Sequence, residues 1–200
     1  MSRSAVALWK TVWGARNLGA QVVPVRVPEL SGLEEVWATI CGYEAVMAHA
    51  ANYPARASEY GPYFREALDA ASRVTAAELT AARAKTQAFS TEWTTMLESV
   101  DAIVCPAGGD PAWPITHELQ VGGRVQHPAA WQAAAPRATE FTFPMNLAGT
   151  PSICIPCGFS PEGLPLSVQF AGRPLSEAKL CRIADACEEA MTWRTRHPGV

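Results

Sequence analysis

The 200-residue sequence contains no run of about 18 apolar residues, so no segment reads as a bilayer-crossing helix. It has no excess of positive charge either: 16 Lys and Arg against 19 Asp and Glu give a net charge of −3, with the signs interspersed. That balance offers no basic face for nucleic acid and no polybasic membrane anchor. Lysine is scarce, confined to Lys10, Lys85 and Lys179, and no Gly/Ser-rich run occurs. A secretory leader does not fit, because its apolar core would have to lie between Arg3 and Lys10. Arg3, Lys10, Arg16 and Arg26 precede the first acid, Glu29, a bias shared with transit peptides. The spacing of Ala5, Leu8, Trp9, Val12 and Trp13 nevertheless predicts an ordinary helix, stopped by Gly14, Asn17 and Gly19 before a strand over Val22 to Val27.

With no leader, the six cysteines read as reduced thiols, and the expected location is the cytoplasm. Cys154-Ile-Pro-Cys157 has the spacing of a redox or zinc motif, but residues three apart on a strand point to opposite faces. Cys181 and Cys187 share no helical face, and His117 with His127 lacks an acidic or thiol partner to complete a ligand set. No metal and no cofactor are expected. Gly158-Phe-Ser160-Pro-Glu-Gly163 lacks the spacing of a nucleophile elbow, which argues against an independent serine hydrolase.

Hydrophobic residues make up 48% of the chain, enough for a sizeable core in one domain or most of one. Ser31 and Glu34 have capping-box spacing, so a helix is expected to begin there, with Leu33, Val36, Trp37, Ile40, Tyr43 and Met47 on its apolar stripe. Glu44 lies close to that stripe and reads as a structural acid rather than a catalytic one, and His49 as a satisfied or surface histidine. A connector over Asn52 to Pro62 leads to a short helix near Pro62 to Ala71. Thr75 and Glu78 form a second capping box, heading a long helix with Leu79, Ala82, Thr86, Phe89, Trp93, Met96, Leu97 and Val100 on one face. Asp101 to Cys105 then reads as a short buried strand of the kind found in mostly parallel sheets.

From Pro106 to Glu140 periodicity disappears, and Pro, Gly, Gln and Ala surround Trp113, His117, His127 and Trp131. Such a length of irregular chain is either a substrate-facing lid or wall, or a surface loop packed by its own tryptophans. The stretch Phe141 to Gly172 organises the rest. It reads as a short apolar turn broken by Gly149 and Pro151, a strand near Ser152 to Phe159, a tight loop over Ser160 to Gly163, and a strand near Leu164 to Ala171. Ser176 is placed to cap a last helix, whose stripe of Leu180, Ile183, Ala184, Cys187 and Met191 packs on the sheet. Arg194 and Arg196 complement that helix's dipole.

Asn146-Leu-Ala-Gly-Thr-Pro151, Ile155-Pro-Cys-Gly-Phe159 and Gly163-Leu-Pro-Leu-Ser-Val-Gln-Phe-Ala-Gly-Arg-Pro174 carry a resemblance. In order and spacing they resemble the C-terminal hallmark of the amidase signature family, which comprises amide hydrolases and glutamine amidotransferase subunits. Gly19 to Pro28 and Asp101 to Pro106 resemble two earlier strands of the same domain. The resemblance implies an α/β fold, a mixed sheet flanked by helices, with residues 1–200 forming a partial domain that corresponds to its C-terminal half. It also implies hydrolysis of carbon–nitrogen amide bonds, in which a lysine acts as base toward two serines and an acyl-enzyme forms. The family carries those groups on and before a Gly/Ser-rich segment, so no catalytic residue transfers to a position here. The resemblance places Pro106, Phe143, Asn146 and Gly149 beside the substrate channel. Glutamine-binding members carry an acid just before the Phe-Thr segment, where this chain has Thr139 and, offset, Glu140.

Two functional expectations follow. In the first, the chain supplies pocket wall and scaffold for a small-molecule amide substrate when completed by an N-terminal half, and is inactive alone. In the second, it is a non-catalytic interaction module or decayed fragment that docks on another chain, or on a second copy of itself, through an exposed sheet edge.

Overall fold

The computed structural model describes residues 14–109, 111–112 and 140–191. The expected helix through Trp13, the segment holding Trp113, His117, His127 and Trp131, and the basic end from Arg194 lie outside the described residues. No described helix is long and apolar enough to cross a membrane. The described residues fall into two compact units: 29–89, and 14–28, 90–109, 111–112 and 140–191.

The unit from Glu29 is helical where described. Helix α1, Leu33–His49, buries Leu33 and Val36, whereas Met47 at the far end of the expected stripe is 58% exposed. The Ser31/Glu34 capping box does not form. Glu29 lies closer to Ser31, and its Oε1 accepts from the Ser31 hydroxyl at 2.6 Å and from the backbone N–H groups of Leu30 and Ser31. Those bonds hold the Glu29 carboxyl below its usual range, the Ser31 hydroxyl contributing most. Gly32, with φ of 74°, turns the chain into the helix without a side-chain cap.

A 3₁₀ turn, Ala57–Glu59, precedes α2, Pro62–Ala71, which opens on proline as expected and buries Leu68 almost completely. Helices α1 and α2 approach closely: a Cβ on Gly42 would stand 3.0 Å from that of Ala71. The Thr75/Glu78 box does form. Glu78 N–H donates to Thr75 Oγ1 at 3.2 Å, and Glu78 Oε2 accepts from Thr75 N–H at 2.8 Å. It heads α3, Ala76–Leu97, on which Leu79, Ala82, Phe89, Trp93 and Leu97 are buried as the spacing predicts.

The other unit holds the described sheet. Val22 to Val27 forms no strand, and Val23 and Val27 remain 45% and 44% exposed. Pro24 and Pro28 explain this, since each removes a backbone donor that a ladder requires. Strands β1 (Ile103–Pro106), β2 (Ser152–Phe159) and β3 (Pro165–Ala171) lie in the order β1-β3-β2. Both pairings are antiparallel, so β1 joins its neighbour in the opposite sense to that expected from its apolar run. The β2–β3 hairpin falls where alternation and turn residues place it. Its loop is closed by Ser160 N–H to Leu164 O at 2.8 Å and Gly163 N–H to Ser160 O at 2.9 Å.

Between the sheet's first two strands in the chain lies α4, Phe143–Ala148. The last helix, α5, Glu177–Glu189, places Leu180, Ala184 and Cys187 on Ile155, Cys157, Leu166, Val168 and Phe170. Ser176 stands at its N-cap without making a cap bond. Its backbone, at φ −101° and ψ 15°, leaves the hydroxyl buried and unpartnered among the described residues. The hydroxyl lies against Gly172, where any Cβ would collide with it. Helices flanking this small sheet give an α/β architecture.

Candidate active-site wall

Helix α4 has only six residues, too few to hold together without tertiary support. Pro144 starts it, and Gly149, at φ 67° and ψ 33°, ends it in the left-handed conformation that favours glycine. The Gly149 and Thr150 N–H groups donate back to Asn146 O and Met145 O at 3.3 and 3.1 Å. Ser90 Oγ on α3 donates to Ala148 O at 3.0 Å, satisfying one of the carbonyls a helix end leaves open.

Phe143, Pro144, Met145, Leu147 and Ala148 are all buried, so only Asn146 within the helix and Gly149 just beyond it face solvent. Of the four residues nominated from the sequence, two are therefore accessible and two are buried. Phe143 is 3% exposed, and Pro106 is buried at the end of β1, opposite Val168.

Sequence reasoning missed the residue beneath this wall. Gln169, in the middle of β3, is 2% exposed and stands in register with Cys105 on one side and Cys154 on the other. Its Nε2 donates to Phe141 O at 2.6 Å and lies 3.5 Å from Cys105 Sγ and 3.8 Å from Met145 Sδ. Cys154 Sγ approaches Oε1 at 4.0 Å. A polar residue amid Val168, Phe170 and Ala171 was the available signal.

Burial disfavours the thiolate form of both cysteines near Gln169. Burial pushes the Cys105 thiol up, Gln169 opposes the shift through its hydrogen bond, and Cys154 adds to it; burial also raises Cys154. All six cysteines are free, and Cys154 and Cys157 fall on opposite sides of β2, one exposed and one in the core. No cluster of three or more His, Cys, Asp or Glu suited to a metal occurs among the described residues.

Serine–lysine chemistry has no counterpart among the described residues. Lys179 Nζ is ion-paired with Asp101 Oδ1 at 2.7 Å, Lys85 is exposed, and neither bonds a serine. In the helical unit, an open cleft of about 590 Å³ is lined by Tyr53, Pro62, Arg65, Glu66, Asp69 and Arg73, none of them nominated from the sequence. Tyr53 OH donates to Asp69 Oδ1 at 2.6 Å, a bond that raises the phenol's pKa.

Comparisons with known proteins agree with the architecture. A family model described as Amidase matches residues 5–181. The chain is 34% identical over 157 residues to the putative amidase AmiD of Mycobacterium tuberculosis (strain ATCC 25618 / H37Rv), covering 78% of this chain and 32% of that protein. It is 36% identical over 105 residues to the A-type subunit of the glutamyl-tRNA(Gln) amidotransferase of Chloroflexus aggregans (strain MD-66 / DSM 9485), covering 52% of this chain and 19% of the relative. It spans about a third or less of the length of these relatives. Among solved structures, an amidase superposes with a TM-score of 0.77 at 27% identity, over 94% of this chain and 42% of its own. A 6-aminohexanoate cyclic dimer hydrolase superposes at 0.82 with 20% identity, over 98% and 43%, a likeness of fold alone.

Proposed function

We propose, since this chain belongs to the amidase family, that it furnishes the wall and scaffold of a site hydrolysing a small-molecule amide, and that it is inactive alone. Residues 1–200 form a partial domain that an N-terminal half completes, and that half carries the serines and the lysine. The observation that carries this reading is the exposed end of α4 in the sheet-bearing unit. Helix α4 offers Asn146 and the Gly149 backbone to solvent, while neither described lysine meets a serine.

The Asn146 carboxamide can both donate to and accept from an amide group, which suits positioning of the scissile bond rather than its cleavage. Pro106 and Phe143 contribute as buried residues of β1 and α4. A cytoplasmic setting, with the six cysteines as reduced thiols, is part of the same proposal. The reading calls for no metal or cofactor, and neither nucleic acid nor membrane is proposed as a partner.

The second reading, a non-catalytic module that docks on another chain or a second copy, draws on exposed apolar side chains at Leu18, Val23 and Val27 and on the sheet edge. Titrating the isotopically labelled chain with simple aliphatic and aryl amides separates the two. Saturable NMR shifts centred on Asn146 and Gly149 are expected. Shifts centred instead on the Arg65–Arg73 cleft, or none that saturate, would overturn the wall reading.

A further inference from the structure

We infer that Gln169 is the positioning residue of the α4 wall: its carboxamide fixes the Phe141 carbonyl and thereby the presentation of Asn146 and Gly149. The inference rests on the wall reading above. Its physical basis is the contrast between a helix too short to place itself and a buried amide whose shortest bond goes to the segment entering that helix.

A glutamine side chain offers two N–H donors and two acceptor lone pairs, and burying it without partners is strongly unfavourable. Here the strongest bond goes to a backbone carbonyl two residues before α4, at 2.6 Å. The remaining contacts are weak and soft. Met145 Sδ lies within α4, Cys105 Sγ is one residue before Pro106, and Cys154 Sγ is on β2. One side chain therefore meets β1, β2 and the segment entering α4, the elements that carry or adjoin every nominated wall residue. A leucine would fill the same space in a strand but would leave the Phe141 carbonyl without this donor. The apolar neighbours Val168 and Phe170 point to the other face, under α5, so Gln169 acts on α4 without touching the α5 core.

Gln169→Leu and Gln169→Glu test this in the full 200-residue chain by site-resolved hydrogen exchange, corrected for the intrinsic pH dependence. In Gln169→Leu, the N–H groups of Asn146, Gly149 and Thr150 are expected to exchange about tenfold faster or more, while that of Leu180 in α5 changes by less than about twofold. In Gln169→Glu, a protonated carboxyl can replace the lost donor and an ionised one cannot. Protection of α4 should therefore return as pH falls through the carboxyl's pKa and disappear above it.

Uniform acceleration reaching α5 in Gln169→Leu, or no change in α4, would overturn the inference. So would a Gln169→Glu profile indistinguishable from Gln169→Leu at every pH. These readouts need no amide ligand, so they succeed or fail separately from the wall reading. An amide titration of the same variants completes the test: the saturable shift at Asn146 should be lost in Gln169→Leu and restored in protonated Gln169→Glu. Retention of full affinity in Gln169→Leu would contradict a positioning role.

Discussion

Where Val168, Gln169 and Phe170 stand, β3 is buried on both faces, yet the two hold different chemistry. On one, Val168 and Phe170 meet Leu180 and Ala184 of α5 in a wholly apolar contact. On the other, Gln169 replaces dispersion with a directed bond to Phe141 O and thiol and thioether contacts. The apolar face can be stabilised by any side chain of suitable volume, because hydrophobic burial has no direction. The polar face depends on one geometry. A fold needs the first face to exist, and the proposed binding surface needs the second to hold a short helix in place.

Breaking the apolar face should have the larger effect. Phe170→Ala removes a ring that is 5% exposed at the centre of the α5 contact, and a loss of about 3–5 kcal/mol in unfolding free energy is expected. Urea titration followed by fluorescence would read it as a lower midpoint. A loss below about 1 kcal/mol would mean that α5 collapses onto the gap, and that the apolar face is less constrained than its packing indicates. The Gln169 substitutions should fall between this change and the next, with effects confined to α4.

The surface ion pair marks the low end of the scale. Asp101 is held below its usual carboxylate range by Lys179, through their hydrogen bond first and their charge second. A carboxyl depressed in the folded state contributes stability above its unfolded pKa, near 3.9, and loses that contribution as pH falls through the lower folded value. The Asp101 side chain is 80% exposed, so Asp101→Asn should cost less than about 1 kcal/mol near neutrality. The difference from the parent should vanish in acid. A deficit that persists at low pH would show that Asp101 acts through packing rather than charge.

Much of the fold was legible because its signals were local. Alternation in Ile153, Ile155, Leu166, Val168 and Phe170, with Ser160 to Gly163 between them, fixed the hairpin, and Thr75 with Glu78 fixed the start of α3. The failures came where a neighbour competed. Glu29 took the Ser31 hydroxyl, the prolines at 24 and 28 removed strand donors, and Ser176 adopted a backbone that turned its hydroxyl inward.

The proposed wall was legible in part. Asn146 and Gly149 stand out in the motif, but only the fold shows Asn146 exposed within a buried helix and Gly149 exposed at its end, with Phe143 and Pro106 buried. Gln169 was harder. Strand alternation alone assigns it to the face opposite Val168, which reads as solvent until the segment from Phe141 to Met145 is known to cover it.

Amide turnover by the purified chain is the most direct measurement of whether these residues furnish a wall without the chemistry. With simple aliphatic and aryl amides, the expected rate equals that of buffer alone, even at concentrations that saturate the Asn146 shift. Turnover that survives repurification and is abolished by substituting one residue of this chain would contradict the proposal.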